Sequence, residues 1–184
     1  MLIDKNRRAR VVALQVLYSN DLNPEQESFD TMVRERVKND VDQIRYAHWL
    51  IEGVTIQQKE IDAKIESVLQ NWRFARLAET DKNVLRIGVF ELMNTQESVG
   101  ILMNEAIEIA KEYGDQKSGG FVNGVLDKIR KNLASENLLR AIPVPGKDTA
   151  SDTASNTVSN AASNAASNAV SDENQAAPKD GSAN

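Results

Sequence analysis

Residues 80–93, Thr80-Asp81-Lys82-Asn83-Val84-Leu85-Arg86-Ile87-Gly88-Val89-Phe90-Glu91-Leu92-Met93, decide the fold class. Val84, Leu85, Gly88, Val89, Leu92 and Met93 recur at the three-to-four spacing that lays apolar residues along one face of a helix. Thr80 or Asp81 suits the N-cap of that helix. The same period extends outward in both directions. Downstream, Leu102, Ala106, Ile109, Ala110 and Tyr113 form a stripe stopped by Gly114, and Ser118 suits the cap of a last helix carrying Val122, Val125, Leu126, Ile129 and Leu133. Upstream lie Ile61, Ile65, Val68, Leu69 and Trp72, and before them Val41, Ile44, Ala47 or His48, Ile51 and Val54, with Gly53 a weak point. Phe29, Met32, Val33 and Val37 precede these, and Ala9, Val12, Ala13, Val16 and Leu17 open the series. No run alternates with strict period two. The sequence predicts an all-α body of about seven helices joined by short loops.

The composition of the 184-residue chain narrows the chemistry. There is no cysteine, which removes disulfides, thiolate metal sites and cysteine nucleophiles. His48 is the single histidine, so a multi-histidine metal site is impossible and a catalytic triad would hang on one residue. The net charge of −5 argues against a wholly basic nucleic-acid coat and leaves a local patch open.

The two ends read differently from the body. From Pro143 the chain carries almost no large apolar side chain, and Ser-Asn pairs at 155, 159, 163 and 167 recur among alanines and threonines. Such a segment cannot offset its ordering entropy, so residues 143–184 are expected to be a disordered, solvated tail beside a helical domain of residues 1–142. At the other end, Lys5, Arg7, Arg8 and Arg10 before Val11-Val12-Ala13-Leu14 look like the start of a signal peptide. The apolar run breaks at Gln15 and no small-x-small cleavage site follows, nor does any stretch approach the roughly 20 apolar residues of a membrane span. A cytoplasmic protein with no membrane partner is expected.

Signs of catalysis are weak. His48 beside Trp49 reads as a partly buried or surface histidine, and the pairs Glu105/Glu108 and Glu108/Glu112 read as solvated helix faces. The Glu-x-x-His motifs of a di-metal bundle are absent, and Gly119-Gly120 and Gly124 lack the Lys-Ser/Thr of a phosphate loop. No cofactor is expected.

Three features point instead to recognition. Opposite the core stripe of the first helix lie Arg7, Val11, Leu14 and Tyr18, where an amphipathic helix should be polar. Either the rest of this chain covers that strip or an external macromolecule does. Tyr18, whose hydroxyl wants a polar neighbour, is the better contact residue. Secondly, the cations at 5, 7, 8 and 10 sit at a helix N-terminus, where they oppose the macrodipole. Arginine recognises phosphate and stacks on bases, so the cluster suits nucleic acid. A solvated helix end and weak surface ion pairs are the alternatives. Thirdly, Gly124 inside a helix costs about 1 kcal/mol relative to alanine, which predicts a close helix crossing. Phe121 and Asn123 beside it could stack on and hydrogen-bond an unpaired base, or Phe121 could simply staple the helix entry.

Taken together, these segments resemble the NusB family of bacterial transcription antitermination factors. The resemblance rests on Arg7-Arg8-Ala9-Arg10 with Ala13, Gln15, Leu17 and Tyr18; Trp72 with Arg76; Asp81 with Leu85-Arg86 and Phe90-Glu91-Leu92; the run from Asn104 through Glu105-Ala106 to Lys111; and residues 121–127. The tail lies outside it, and Glu97-Ser98-Val99 stands where the family often has a proline. The resemblance implies two small helical bundles packed together and no enzyme activity. It implies binding of the single-stranded boxA element of ribosomal RNA leaders with NusE, a small-subunit ribosomal protein, in the RNA polymerase antitermination complex. By residue match it assigns RNA contact to Arg7, Arg8 and Arg10 and to Phe121, Asn123, Asp127 and Lys128, and NusE contact to Tyr18 and Glu91. From its own sequence context, Glu91 would read as a solvated carboxylate. Two other classes stay open: the NusB-like domain of ribosomal RNA cytosine methyltransferases, for whose catalytic unit this chain lacks length and cysteine, and a helical protein adaptor without RNA affinity.

Overall fold

The structure, a computed structural model, describes residues 6–23, 29–70 and 73–141. Among these, six α-helices and one 3-10 turn follow each other with no strand: α1 (Arg7–Leu22), α2 (Asp30–Arg36), α3 (Val41–Val68), the turn Phe74–Arg76, α4 (Glu79–Asn94), α5 (Val99–Tyr113) and α6 (Ser118–Ser135). The all-α expectation holds. Lys5, Trp72 and the proposed tail lie outside the described residues.

One expected boundary is absent. The stripes over 41–54 and 61–68 belong to one 28-residue helix, α3, which runs through Gly53. Thr55-Ile56-Gln57-Gln58-Lys59-Glu60 contains no breaker, and Val54 and Ile61 are two turns apart on the same buried face. Asp40 caps the helix, its carboxylate accepting the N–H groups of Asp42 and Gln43 at 3.1 Å. Val41, counted into the stripe, is instead exposed at the helix entry. The other expected caps are also corrected. Thr80 and Asp81 lie inside the first turn of α4, which starts after Ala78 with no side-chain cap. At α6, Ser118 is the first helical residue after the N-cap Lys117, and Asp115 in the preceding turn supports that start, its Oδ1 accepting the N–H groups of Lys117 at 2.6 Å and Ser118 at 2.9 Å. The Ser118 hydroxyl returns the bond by accepting the Asp115 N–H at 2.9 Å.

α4 is the axis of the molecule. It packs on α1 and α3 and also on α5 and α6, so α1 to α3 and α4 to α6 form two groups joined mainly at α4, with α3 also touching α6. Every residue from Asp81 to Leu92 is buried, polar ones included. Beyond α6 the chain returns to this axis: the N–H groups of Arg140 and Ala141 reach the Leu92 carbonyl at 2.9 and 3.2 Å. They satisfy a carbonyl in the last turn of α4, which has no partner within its own helix.

Helix α3 crosses α4 where Gly53 meets Phe90. Trp49 also packs against that ring, 4.7 Å between centroids. His48, next to Trp49 in α3, places Nε2 3.1 Å from Asp30 Oδ1 and so ties α2 to α3. No helix among the described residues is long and apolar enough to cross a membrane.

Candidate nucleic-acid interface

The N-terminal cations have three different fates. Arg8 is exposed at the start of α1. Arg7 is partly covered and reaches two carboxylates of α5, Glu105 and Glu112, each at 2.9 Å. Burial opposes its charge, but the hydrogen bonds to those carboxylates outweigh it and hold the guanidinium above its ordinary range. Arg10 is only 1% exposed. Its Nη2 lies 2.8 Å and its Nε 2.9 Å from Glu91 Oε1, the Tyr46 hydroxyl donates to the same carboxylate, and the Tyr46 ring lies 5.6 Å from the guanidinium.

That geometry departs from the expectation of two contact residues: in the free chain Arg10 and Glu91, each 1% exposed, turn their charges to each other and not to the surface. Each is the other's counter-ion in the core, because a buried charge needs a paired opposite charge. Sequence reasoning saw two surface residues; their partnership spans 81 positions, beyond any local pattern.

The strip opposite the core of α1 divides. Leu14 is buried and Val11 half-buried by this same chain, so the intramolecular reading holds for Leu14. Tyr18 emerges, 40% exposed, in a groove of about 540 Å³ shared with Met32 and Arg36 of α2 and Tyr113 of α5.

The α6 candidates lie on the outer part of its first turns. Phe121 is partly exposed and packs against the core edge, while Asn123 and Lys128 are exposed. Asp127 bonds Arg130 at 3.0 Å and Lys131 at 2.9 Å, and those cations hold its carboxyl below the usual range. Helix α5 runs between this segment and α1: Glu105 and Glu112 hold Arg7, while Lys111 packs against Gly119. Gly124, expected at a helix crossing, faces open space, where an added Cβ would meet nothing within 4 Å. We therefore expect Gly124→Ala to stabilise the fold by about 0.5–1 kcal/mol through helix propensity and a less flexible unfolded chain. Thermal unfolding checks this, and a lower melting temperature would mean that the position is packed.

Two groups escaped sequence reasoning. Arg86 joins three helices, with Nε and Nη2 each 2.8 Å from Asp62 of α3 and Nη1 2.8 Å from Asp21 of α1. The Phe74 ring covers it, 5.5 Å from the guanidinium. A cleft of about 300 Å³ between α4 and α6 gathers Arg76, Asp81, Asp115 and Lys117. No local signal exists for either, because the partners come from separate elements. Among the described residues no group of three or more acidic or histidine side chains could hold a metal ion.

The comparisons with known proteins bear on family and fold. The model of the NusB family matches residues 7–131, from the first arginine of α1 into the last turns of α6. The transcription antitermination protein NusB of Anaeromyxobacter dehalogenans is 42% identical over 141 residues, covering 72% of this chain and 94% of that protein. Among solved structures, NusB of T. maritima is similar with a TM-score of 0.63 and 32% identity, over 71% of this chain and 93% of that one. The crystal structure of antitermination factors NusB and NusE in complex with dsRNA is similar with a TM-score of 0.62 and 36% identity, over 68% of this chain and 96% of that one.

Proposed function

Because the chain belongs to the NusB family, we propose that it acts as a transcription antitermination factor that binds the boxA RNA of ribosomal RNA leaders together with NusE and helps RNA polymerase resist premature termination. The observation that carries this reading is the family match over residues 7–131, which takes in both the α1 start and the α6 start. The role is recognition without catalysis, in the bacterial cytoplasm where RNA polymerase works.

The residue assignment follows the geometry. Arg8 supplies a phosphate contact, and Arg7 reaches the surface beside it while its two carboxylates fix its direction. On α6, Phe121, Asn123 and Lys128 face the strand, and Asp127 holds Arg130 and Lys131 in place. Tyr18, in its groove beside α2, faces NusE.

The test is a gel shift with a boxA-like RNA, with and without NusE. Arg8→Ala and Lys128→Ala should each weaken RNA binding and make the logarithmic salt slope shallower by about 0.7, the value per single-strand phosphate contact. Tyr18→Ala should leave the binding of RNA alone unchanged and weaken NusE association by about 1–3 kcal/mol. RNA affinity that is nil in the wild type with NusE still bound would replace this reading with the protein adaptor.

A further inference from the structure

The cleft between α4 and α6 has the chemistry of a base pocket. Its apolar lining is Leu77, Ala78 and the partly exposed Phe121, and its mouth carries two exposed cations, Arg76 and Lys117. Two carboxylates line it with different commitments, an exposed Asp115 and a buried Asp81. Asp115 is occupied in supporting the start of α6 through the N–H groups of Lys117 and Ser118, with the Ser118 hydroxyl also at 3.3 Å. Asp81 is 9% exposed and lines the cleft; the Ser118 hydroxyl bonds its carboxyl, while its buried Oδ1 has no hydrogen-bond partner. Native proteins rarely leave a buried polar atom unpaired, and such an exception calls for an explanation.

The lining restricts the occupant. A simple anion would meet the Asp81 and Asp115 carboxylates, and a simple cation would meet Arg76 and Lys117. A volume of about 300 Å³ matches the small end of ligand clefts. What satisfies all sides is a flat ring that offers a hydrogen-bond donor inward, a π face to Phe121 and a phosphate outward. Resting on the RNA-binding reading above, we infer that this cleft takes one unstacked, amino-bearing base of the bound strand, with the exocyclic amine donating to the Asp81 carboxylate. Aspartate accepting from an amino group such as cytosine N4 is a known form of base readout, and aromatic stacking holds bases removed from a helix. Asp81 is then a specificity-determining residue, and Arg76 and Lys117 hold the flanking phosphates.

A stability readout separates this role from a structural one. Burial first, and the Asp115 charge after it, hold the Asp81 carboxyl above its ordinary range, against the lowering effect of the Ser118 hydroxyl. As pH rises, the unfolded chain therefore gives up this proton before the native state does, and the native state is weakened through that window. Asp81→Leu keeps the branched shape and removes both acceptors, so it should melt no lower than the wild type at neutral pH.

The binding experiment uses the full chain and twelve-nucleotide single strands of uridine with one central substitution. The substituents are cytidine, adenosine, guanosine, or a pyrimidinone riboside that is cytidine without its amine. The wild type should bind one amino-bearing strand about fivefold or more tighter than all-uridine RNA. Where cytidine is the preferred base, the pyrimidinone should lose that gain. Asp81→Leu should bind every strand as the wild type binds uridine, and Asp81→Asn, which keeps a neutral acceptor, should retain part of the preference. Equal affinity of the wild type for all strands overturns the inference and leaves the RNA-binding reading standing. A preference that survives in Asp81→Leu overturns it too. No binding of any of these strands by the wild type overturns the inference, and no binding of a boxA-like RNA in the gel shift above overturns the RNA-binding reading as well. The substituted strands alone test the claim on the wild type, even if a variant fails to fold.

Discussion

Glu91→Ala will lower the melting temperature on the order of 10 °C or more, because it removes from the core the carboxylate that balances the Arg10 charge. Removing one partner of a buried pair costs about 3–5 kcal/mol. For a body of this size each kcal/mol moves the midpoint by about 3 °C. The side chains of Arg10 and Glu91 are 1% and 2% exposed, so water cannot take over for the lost charge. Tyr46 loses its acceptor in the same step. Arg10→Ala should cost a similar amount by removing the cation that balances the buried Glu91 charge, with Tyr46 still donating to that carboxylate. The double variant Arg10→Met/Glu91→Leu should recover much of the loss, since apolar side chains of comparable volume often replace a buried ion pair without penalty. Urea and thermal unfolding measure all three. Melting within 2 °C of the wild type in both single variants would refute the pairing. The same series distinguishes a structural arginine from a contact arginine. Arg10→Ala should impair RNA binding only through unfolding, with the salt slope of the folded fraction unchanged, whereas Arg8→Ala should do the reverse.

The second large effect is expected at Gly53. A Cβ built there would overlap Cζ, Cε1 and Cε2 of Phe90. The ring cannot swing aside, because Trp49 packs against it and Tyr46 packs behind Trp49, 5.2 Å between centroids. Gly53→Ala gains up to about 1 kcal/mol of helix propensity in the middle of α3. Forcing extra volume into a packed core costs about 1–3 kcal/mol, occasionally more. The overlap with three ring atoms places this site at the upper end, so the net change should be destabilising. Phe90→Leu should soften it by trading the ring for a side chain that can turn away. A Gly53→Ala variant as stable as the wild type would show that α3 and α4 do not cross this closely. The contrast with Gly124→Ala is instructive: the same substitution in two helices is expected to carry opposite signs.

The sequence by itself determined the class of the fold and most of its core. Ala9, Val12, Ala13, Val16 and Leu17, and likewise Val122, Val125, Leu126, Ile129 and Leu133, are buried along the faces their spacing defined. The helical period is a local property, written into residues three and four apart, so it can be read without knowing what lies across the interface. The segments shared with the NusB family were legible for the same reason, as contiguous runs in chain order. Tertiary structure alone decided which charges are exposed. Arg8 and Arg10 are both arginines of one short basic run, yet one meets water and the other meets Glu91, 81 residues away. It alone decided that Gly53, and not Gly124, is the glycine another helix presses on, and that Asp81 lines a cleft instead of capping α4. Periodicity states which side of a helix is apolar. Whether a polar residue beside that stripe is solvated, paired or enclosed depends on what the neighbouring helices bring to it, and α4, packed by four of them, is where that information is least local.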